Sequence, residues 1–189
     1  MSHSVFMRAV GAAALLTAIS ACNDPLALSP ATFDNVVDTT IIYALRGTAL
    51  TLPSGFDVVN GNVARTDRAD PFDFAFDIAD DGKPLLYPAS VLGLSSDAAL
   101  QVTSQPFDSV KSAPTDGFES DSALAVAAGD VILVRSRSTT QACALLGALP
   151  RYGKIRVLDV DTGTRAITLE TLINTNCGYR SLEPGLPGN

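Results

Sequence analysis

The chain has 189 residues, 13 basic and 20 acidic side chains, and a formal net charge of −7. That acidic balance excludes nucleic acid as a partner and excludes basic docking onto a membrane surface. A hydrophobic content of 47% with only 17% charged residues, 14 Gly and 11 Pro excludes a disordered chain and points to one folded, turn-rich domain.

Residues 9–19 form an apolar run behind Arg8. The run is about half of the roughly 20 residues a helix needs to span a bilayer, which makes it a signal-peptide core. Ile19-Ser20-Ala21-Cys22 then places an apolar and two small residues before a cysteine. Lipoprotein signal peptidase cuts at such a pattern, because it needs small side chains at the scissile bond and a cysteine already carrying diacylglycerol. The expectation is a signal peptide over residues 1–21, acylation of Cys22 and attachment to the membrane by lipid chains alone. Asn23, rather than Asp, favours the outer membrane in bacteria that sort by that position. Arg8 is the only charged side chain removed, so the chain from Cys22 onward carries −8.

Residues 22–32, with two prolines, read as a tether, residues 33–183 as a single β-rich domain, and residues 184–189 as a frayed tail. Val36 to Leu45 is β-branched and predicts a strand. Phe56 to Val59, Asn60-Gly61-Asn62 and Val63 predict a hairpin. Phe72 to Ile78 alternates three Phe and an Ile with Asp, Ala and Asp. That strict period of two predicts one buried face and one face that is wet or narrowly packed. Pro84 to Ala89, Leu100 to Thr103 and Gly129 to Arg137 follow as strands. Tyr152 to Val160 and Arg165 to Ile173 form a last hairpin through Asp161-Thr162-Gly163. Only Ala123 to Ala128 and Ala142 to Leu149 have room for a helical turn. The predicted fold is all-β, with seven to ten strands in an antiparallel sandwich or curved sheet pair.

Lipidation of Cys22 leaves Cys143 and Cys177, and in an oxidising envelope a lone remaining pair is a disulfide. Its loop of about 35 residues would stabilise the fold by roughly 3–4 kcal/mol. His3, Met1 and Met7 all precede Cys22, and the chain has no Trp. Histidine-dependent nucleophile systems and histidine-ligated zinc are thereby excluded from the processed chain. Asp159-Val160-Asp161-Thr162-Gly163 starts like a calcium loop, but its glycine falls one position early, so a plain turn is expected and no metal is assigned.

Charge is uneven: residues 22–121 carry a net −10 and residues 122–189 a net +2. Arg135 and Arg137 share one strand face, and Lys154 and Arg156 share a face of another. If those strands are neighbours, four cations gather into a surface for carboxylate or phosphate. The other outcome is that they are solvated or pair with Asp73 and Asp77.

Three segments together resemble the HmuY-type family of surface haem-binding lipoproteins. They are Phe72-Asp73-Phe74-Ala75-Phe76, Gly129-Asp130-Val131-Ile132-Leu133-Val134-Arg135, and Tyr152-Gly153-Lys154-Ile155-Arg156-Val157-Leu158 with Ile167-Thr168-Leu169-Glu170. The resemblance covers residues 70 to 173. It implies a β-rich fold that holds haem in a cleft between strands or loops. Family members ligate the iron through His or Met, which the processed chain lacks; Tyr43, Tyr87, Tyr152 and Tyr179 are the only aromatic ligand types left. No cofactor is therefore carried over. The expected function is a non-enzymatic, lipid-anchored binding or interaction module of the cell envelope, with an envelope ligand or protein as partner. Two alternatives stay open: a structural envelope lipoprotein without a small-molecule ligand, and an Asp-dependent hydrolase.

Overall fold

The alternation at Phe72–Ile78 becomes the centre of a two-sheet sandwich in the computed structural model of the chain, which describes residues 28, 30–68, 70–139 and 147–188. The first half of the chain contributes β1 (Val37–Tyr43), β2 (Gly55–Asp57), β3 (Asn62–Ala64), β4 (Phe74–Ile78) and β5 (Pro84–Pro88). The second half contributes β6 (Ala99–Thr103), β7 (Leu124–Ala125), β8 (Val131–Arg135), β9 (Tyr152–Asp161) and β10 (Ala166–Asn174). Two antiparallel five-stranded sheets result, ordered β1-β10-β9-β8-β6 and β3-β2-β4-β5-β7. The fold is all-β.

Phe74, Phe76 and Ile78 point from β4 into the space between the sheets, where they meet Ile132, Ile155, Val157, Ile167 and Leu169 of the first sheet. Phe56 and Phe74 stack there with ring centroids 5.4 Å apart. The continuous apolar run of β8 has a different cause. Ile132 and Val134 face the sandwich core, whereas Val131 and Leu133 face outward, beneath Phe107, Val110, Ala113 and Leu182. Both faces of that strand are buried, so its sequence does not alternate.

Gly153 shows how tightly the sheet is filled. A β-carbon there would overlap Ile173 Cδ1 and lie 3.0 Å from the Leu172 carbonyl oxygen. Gly153→Ala is therefore expected to lower stability by about 1–3 kcal/mol through overpacking, read as a reduced urea midpoint with an unchanged denaturant slope. An unchanged midpoint would show that Ile173 simply rotates away.

Two expectations are corrected. The stretch around Leu124 is a strand, paired with β5 through Leu85↔Ala125 and Leu86↔Leu124, because six residues cannot repay helix nucleation while a sheet edge is open. The other stretch with room for a helical turn, Ala142 to Leu149, lies outside the described residues through residue 146, and among the described residues the short helical turns fall at Ala89–Leu92 and Phe107–Ser109, each entered through a proline. Finally, the C-terminal residues do not stand free, since Asn35 and Gly185 exchange backbone hydrogen bonds of 2.8 and 2.9 Å. The segment from Met1 through Cys22 lies outside the described residues, as does Cys143.

Candidate functional site

The second face of β4 carries Asp73 at its threshold, then Ala75 and Asp77, and all three are buried. This face is the narrowly packed alternative, not the wet one. Ala75 lies in a small cluster with Ala64, Phe72 and Ala89, packed against Leu45. Such short side chains leave a depression on the outer side of the second sheet. Phe72 can lie across it only because residue 55 is glycine; a β-carbon there would stand 2.9 Å from Phe72 Cγ.

The depression opens into a cleft of about 520 Å³. Leu45, Phe72 and Ala89 belong to its apolar part, and Leu92 and Leu94 add two partly exposed apolar side chains. Thr66, Arg68, Asp70, Ser95, Ser96 and Arg137 supply its polar groups. The loops 65–72 and 89–96 therefore bring most of the lining. A strand pattern carries no signal for such loops, and sequence reasoning missed them.

Arg137 is held by two buried carboxylates. Its Nη1 donates to Asp73 Oδ2 at 3.0 Å, and its Nη2 lies 3.0 Å from Asp57 Oδ1. Asp73 also accepts from the backbone N–H groups of Val58 and Arg137, both at 2.7 Å. Asp57 accepts from the Val59 N–H at 3.1 Å and from Asn60 Nδ2 at 2.5 Å. Burial pushes the Asp73 carboxyl above its ordinary value, while the Arg137 backbone N–H and guanidinium pull it down. Nearby, Arg151 donates to the Val59 carbonyl and closes the same corner.

Asp77 is served by different cations. Arg46 Nε approaches its Oδ2 at 2.6 Å, and Arg165 Nη2 stands 3.5 Å from its Oδ1. β4 thus ends at both sides in a buried carboxylate fixed by arginine. This chemistry orients the loops; it does not leave a carboxylate idle.

The four cations proposed as an anion-binding face are not gathered, although β8 and β9 are neighbours in register Val131↔Arg156 and Leu133↔Lys154. Arg135 lies over the Phe118 ring and donates to the Asp97 carbonyl at 3.1 Å. Arg137 turns to the cleft and the carboxylates. Lys154 is buried, donating to the carbonyls of Phe107 and Val110. Arg156 pairs with Glu170 at 2.6 Å. Each cation already has an internal acceptor: Asp97 for Arg135, Asp57 and Asp73 for Arg137, Glu170 for Arg156 and, for Lys154, the loop carrying Phe107 that covers the strand face.

Asp161 is a turn residue: its carboxylate accepts from the Thr164 hydroxyl at 2.7 Å and the Gly163 N–H at 2.8 Å. The hydroxyl and N–H donors lower its pKa. Cys177 follows β10 and is not without a partner. Tyr152 packs 6.0 Å from Phe118 with Arg180 over its ring, and none of Tyr43, Tyr87, Tyr152 and Tyr179 lines the cleft.

No family model matches the chain, and no curated protein matches it. The chemistry of the cleft must therefore be read from its own residues.

Proposed function

We propose that the protein is a lipid-anchored, non-enzymatic binding module of the bacterial cell envelope, with a small amphipathic molecule as ligand in the cleft over β4. The observation that carries this reading is the composition of the cleft. An apolar floor of Leu45, Phe72 and Ala89 meets a few polar groups, among them a guanidinium whose orientation is set by Asp57 and Asp73. Ligand sites are typically built this way, largely apolar with a few placed polar groups. The carboxylates at the base accept hydrogen bonds from Arg137 and backbone N–H groups, so they serve positioning and not proton transfer.

The segments that resemble the HmuY-type family fall on β4, β8 and the β9–β10 hairpin. From that resemblance we carry over an envelope ligand-binding role but not haem, whose usual His and Met ligands are missing after residue 22. The Cys143–Cys177 disulfide belongs to the same proposal; its support is that these are the two cysteines left once Cys22 is acylated.

Native mass spectrometry of the protein extracted from its own membrane tests the reading. The expected spectrum shows a chain beginning at an acylated Cys22, two hydrogens lighter for the disulfide, with a small molecule retained. Ser95→Trp places an indole in the cleft and is expected to remove the small molecule while leaving the other masses unchanged. Wild-type protein that carries no ligand, or a ligand indifferent to Ser95→Trp, would favour the structural lipoprotein instead.

A further inference from the structure

Phe33, Val36 and Leu186 are 60%, 66% and 60% exposed, and all three lie where the chain joins the fold. Single exposed apolar residues are ordinary on a protein surface. These three differ because buried asparagines hold their backbones rigid. Asn35, which is 2% exposed, bridges to Gly185 through its backbone and donates from Nδ2 to the carbonyls of Ser181 and Glu183 at 3.1 and 2.9 Å. In an antiparallel bridge the residues flanking the pair point to one side, so Val36 and Leu186 share a face, with Asp34 beside them. Phe33 is clamped by Asn176, which accepts from its N–H at 3.1 Å and donates to its carbonyl at 2.8 Å. A rigid frame thus presents apolar side chains that are mostly left uncovered by the domain itself.

The path of the chain says what lies opposite. Leu28 already rests on the domain: a β-carbon built at Gly178 would fall 2.9 Å from Leu28 Cδ2. Six residue steps separate Leu28 from Cys22, and an extended chain spans at most about 3.3–3.6 Å per residue, so acyl chains on Cys22 emerge within roughly 20 Å of that contact. Asn176, which clamps Phe33, is two residues from Gly178, so the patch begins within reach of the anchor.

We infer that Phe33, Val36 and Leu186 form a seating surface for the lipid bilayer that holds the anchor. The inference rests on the proposed acylation of Cys22. The acyl chains supply the affinity, and the three side chains, sunk to the headgroup boundary, set the orientation. Asp34, Asp38 and Glu183 are exposed around the patch, which suits a zwitterionic surface over an anionic one. β1 runs from beside the patch toward Tyr43, and Leu45 beyond it lines the cleft. Seating therefore turns the cleft away from the lipid, toward whatever ligand the surroundings provide.

The chain contains no tryptophan, so single substitutions give unambiguous reporters. Full-length Phe33→Trp, Leu186→Trp and Leu50→Trp are produced in a lipoprotein-processing bacterium and reconstituted in phosphatidylcholine vesicles, with and without brominated acyl chains. Leu50 is 73% exposed and lies beyond the far end of β1. The indoles of Phe33→Trp and Leu186→Trp are expected to emit at shorter wavelength and to lose most of their intensity to brominated lipid. The indole of Leu50→Trp is expected to emit as if in water and to stay unquenched. Flotation with the vesicles reports the anchor separately. Floating protein with no quenching at position 33 or 186 overturns the seating surface and leaves the anchor standing. A shift at position 33 that needs no vesicles and grows with protein concentration assigns the patch to a second copy, and overturns it as well. Protein that fails to float overturns the anchor and the seating surface together.

Discussion

Arg137→Ala is expected to cost about 3–5 kcal/mol at neutral pH, because it strands two buried carboxylates without a cation. Asp57 and Asp73 are 4% and 2% exposed, and both face the Arg137 guanidinium at 3.0 Å. The remaining donors to Asp73 are backbone N–H groups, one of them that of residue 137 itself, and these carry no net charge. For a domain of this size the loss corresponds to a fall in Tm of roughly 6–20 °C. The pH dependence identifies the cause. Burial already holds the Asp73 carboxyl above its ordinary value against the pull of Arg137, and removing the guanidinium raises it further. A raised acid pKa means that the folded state binds more protons than the unfolded state between the two values, so stability falls as pH rises through that window. The gap between Arg137→Ala and wild type should accordingly narrow on acidification. Urea midpoints at about pH 7.5 and about pH 5 measure it. A gap of the same size at both values would mean that water, not a proton, replaces the guanidinium.

That network also marks the boundary of what the sequence discloses. Phe74, Phe76 and Ile78 are legible as one buried face because period two is a local property of the chain. The β9–β10 hairpin is legible for the same reason: Asp161-Thr162-Gly163 supplies its own turn chemistry within three residues. The fate of the alternate face is not local. The alternation leaves open whether Asp73 and Asp77 are wet or paired, and it is settled only by Arg137, 64 positions from Asp73, and Arg46, 31 positions from Asp77. The same argument explains the dispersed cations. Lys154 and Arg156 share a strand face as the alternation requires, but the loop around Phe107 covers that face, and nothing in β9 announces the cover. The cleft was invisible for a third reason. Its lining comes mostly from two irregular loops whose residues follow no period, and the small residues Ala64, Ala75 and Ala89 beneath them register in a sequence only as unremarkable alanines.

The loop around Phe107 also sets the second large effect, at Lys154. Lys154→Ala is expected to lose about 2–5 kcal/mol, the range for emptying a buried site, and Lys154→Met about 1–3 kcal/mol, since methionine keeps the stem and orphans only the acceptors. The lysine is 3% exposed, and its Nζ donates to the carbonyls of Phe107 at 2.8 Å and Val110 at 2.9 Å. Those two carbonyls flank the turn Phe107–Ser109, and the ammonium also sits 4.5 Å from the centre of the Phe107 ring. One side chain thereby ties the covering loop to the outer face of the first sheet. Burial lowers the Lys154 pKa below its ordinary value, opposed by the more distant charges of Asp108, Glu183 and Glu170. The unfolded state then binds more protons than the folded state between the lowered value and about 10.4, so this lysine makes stability rise with pH across that window. Methionine cannot titrate. The advantage of wild type over Lys154→Met should therefore widen from about pH 7 to about pH 9.5, measured as paired urea midpoints. A constant advantage would show that the two carbonyls and the ring hold the ammonium charged as firmly as water does, and that the lysine acts only as a tie.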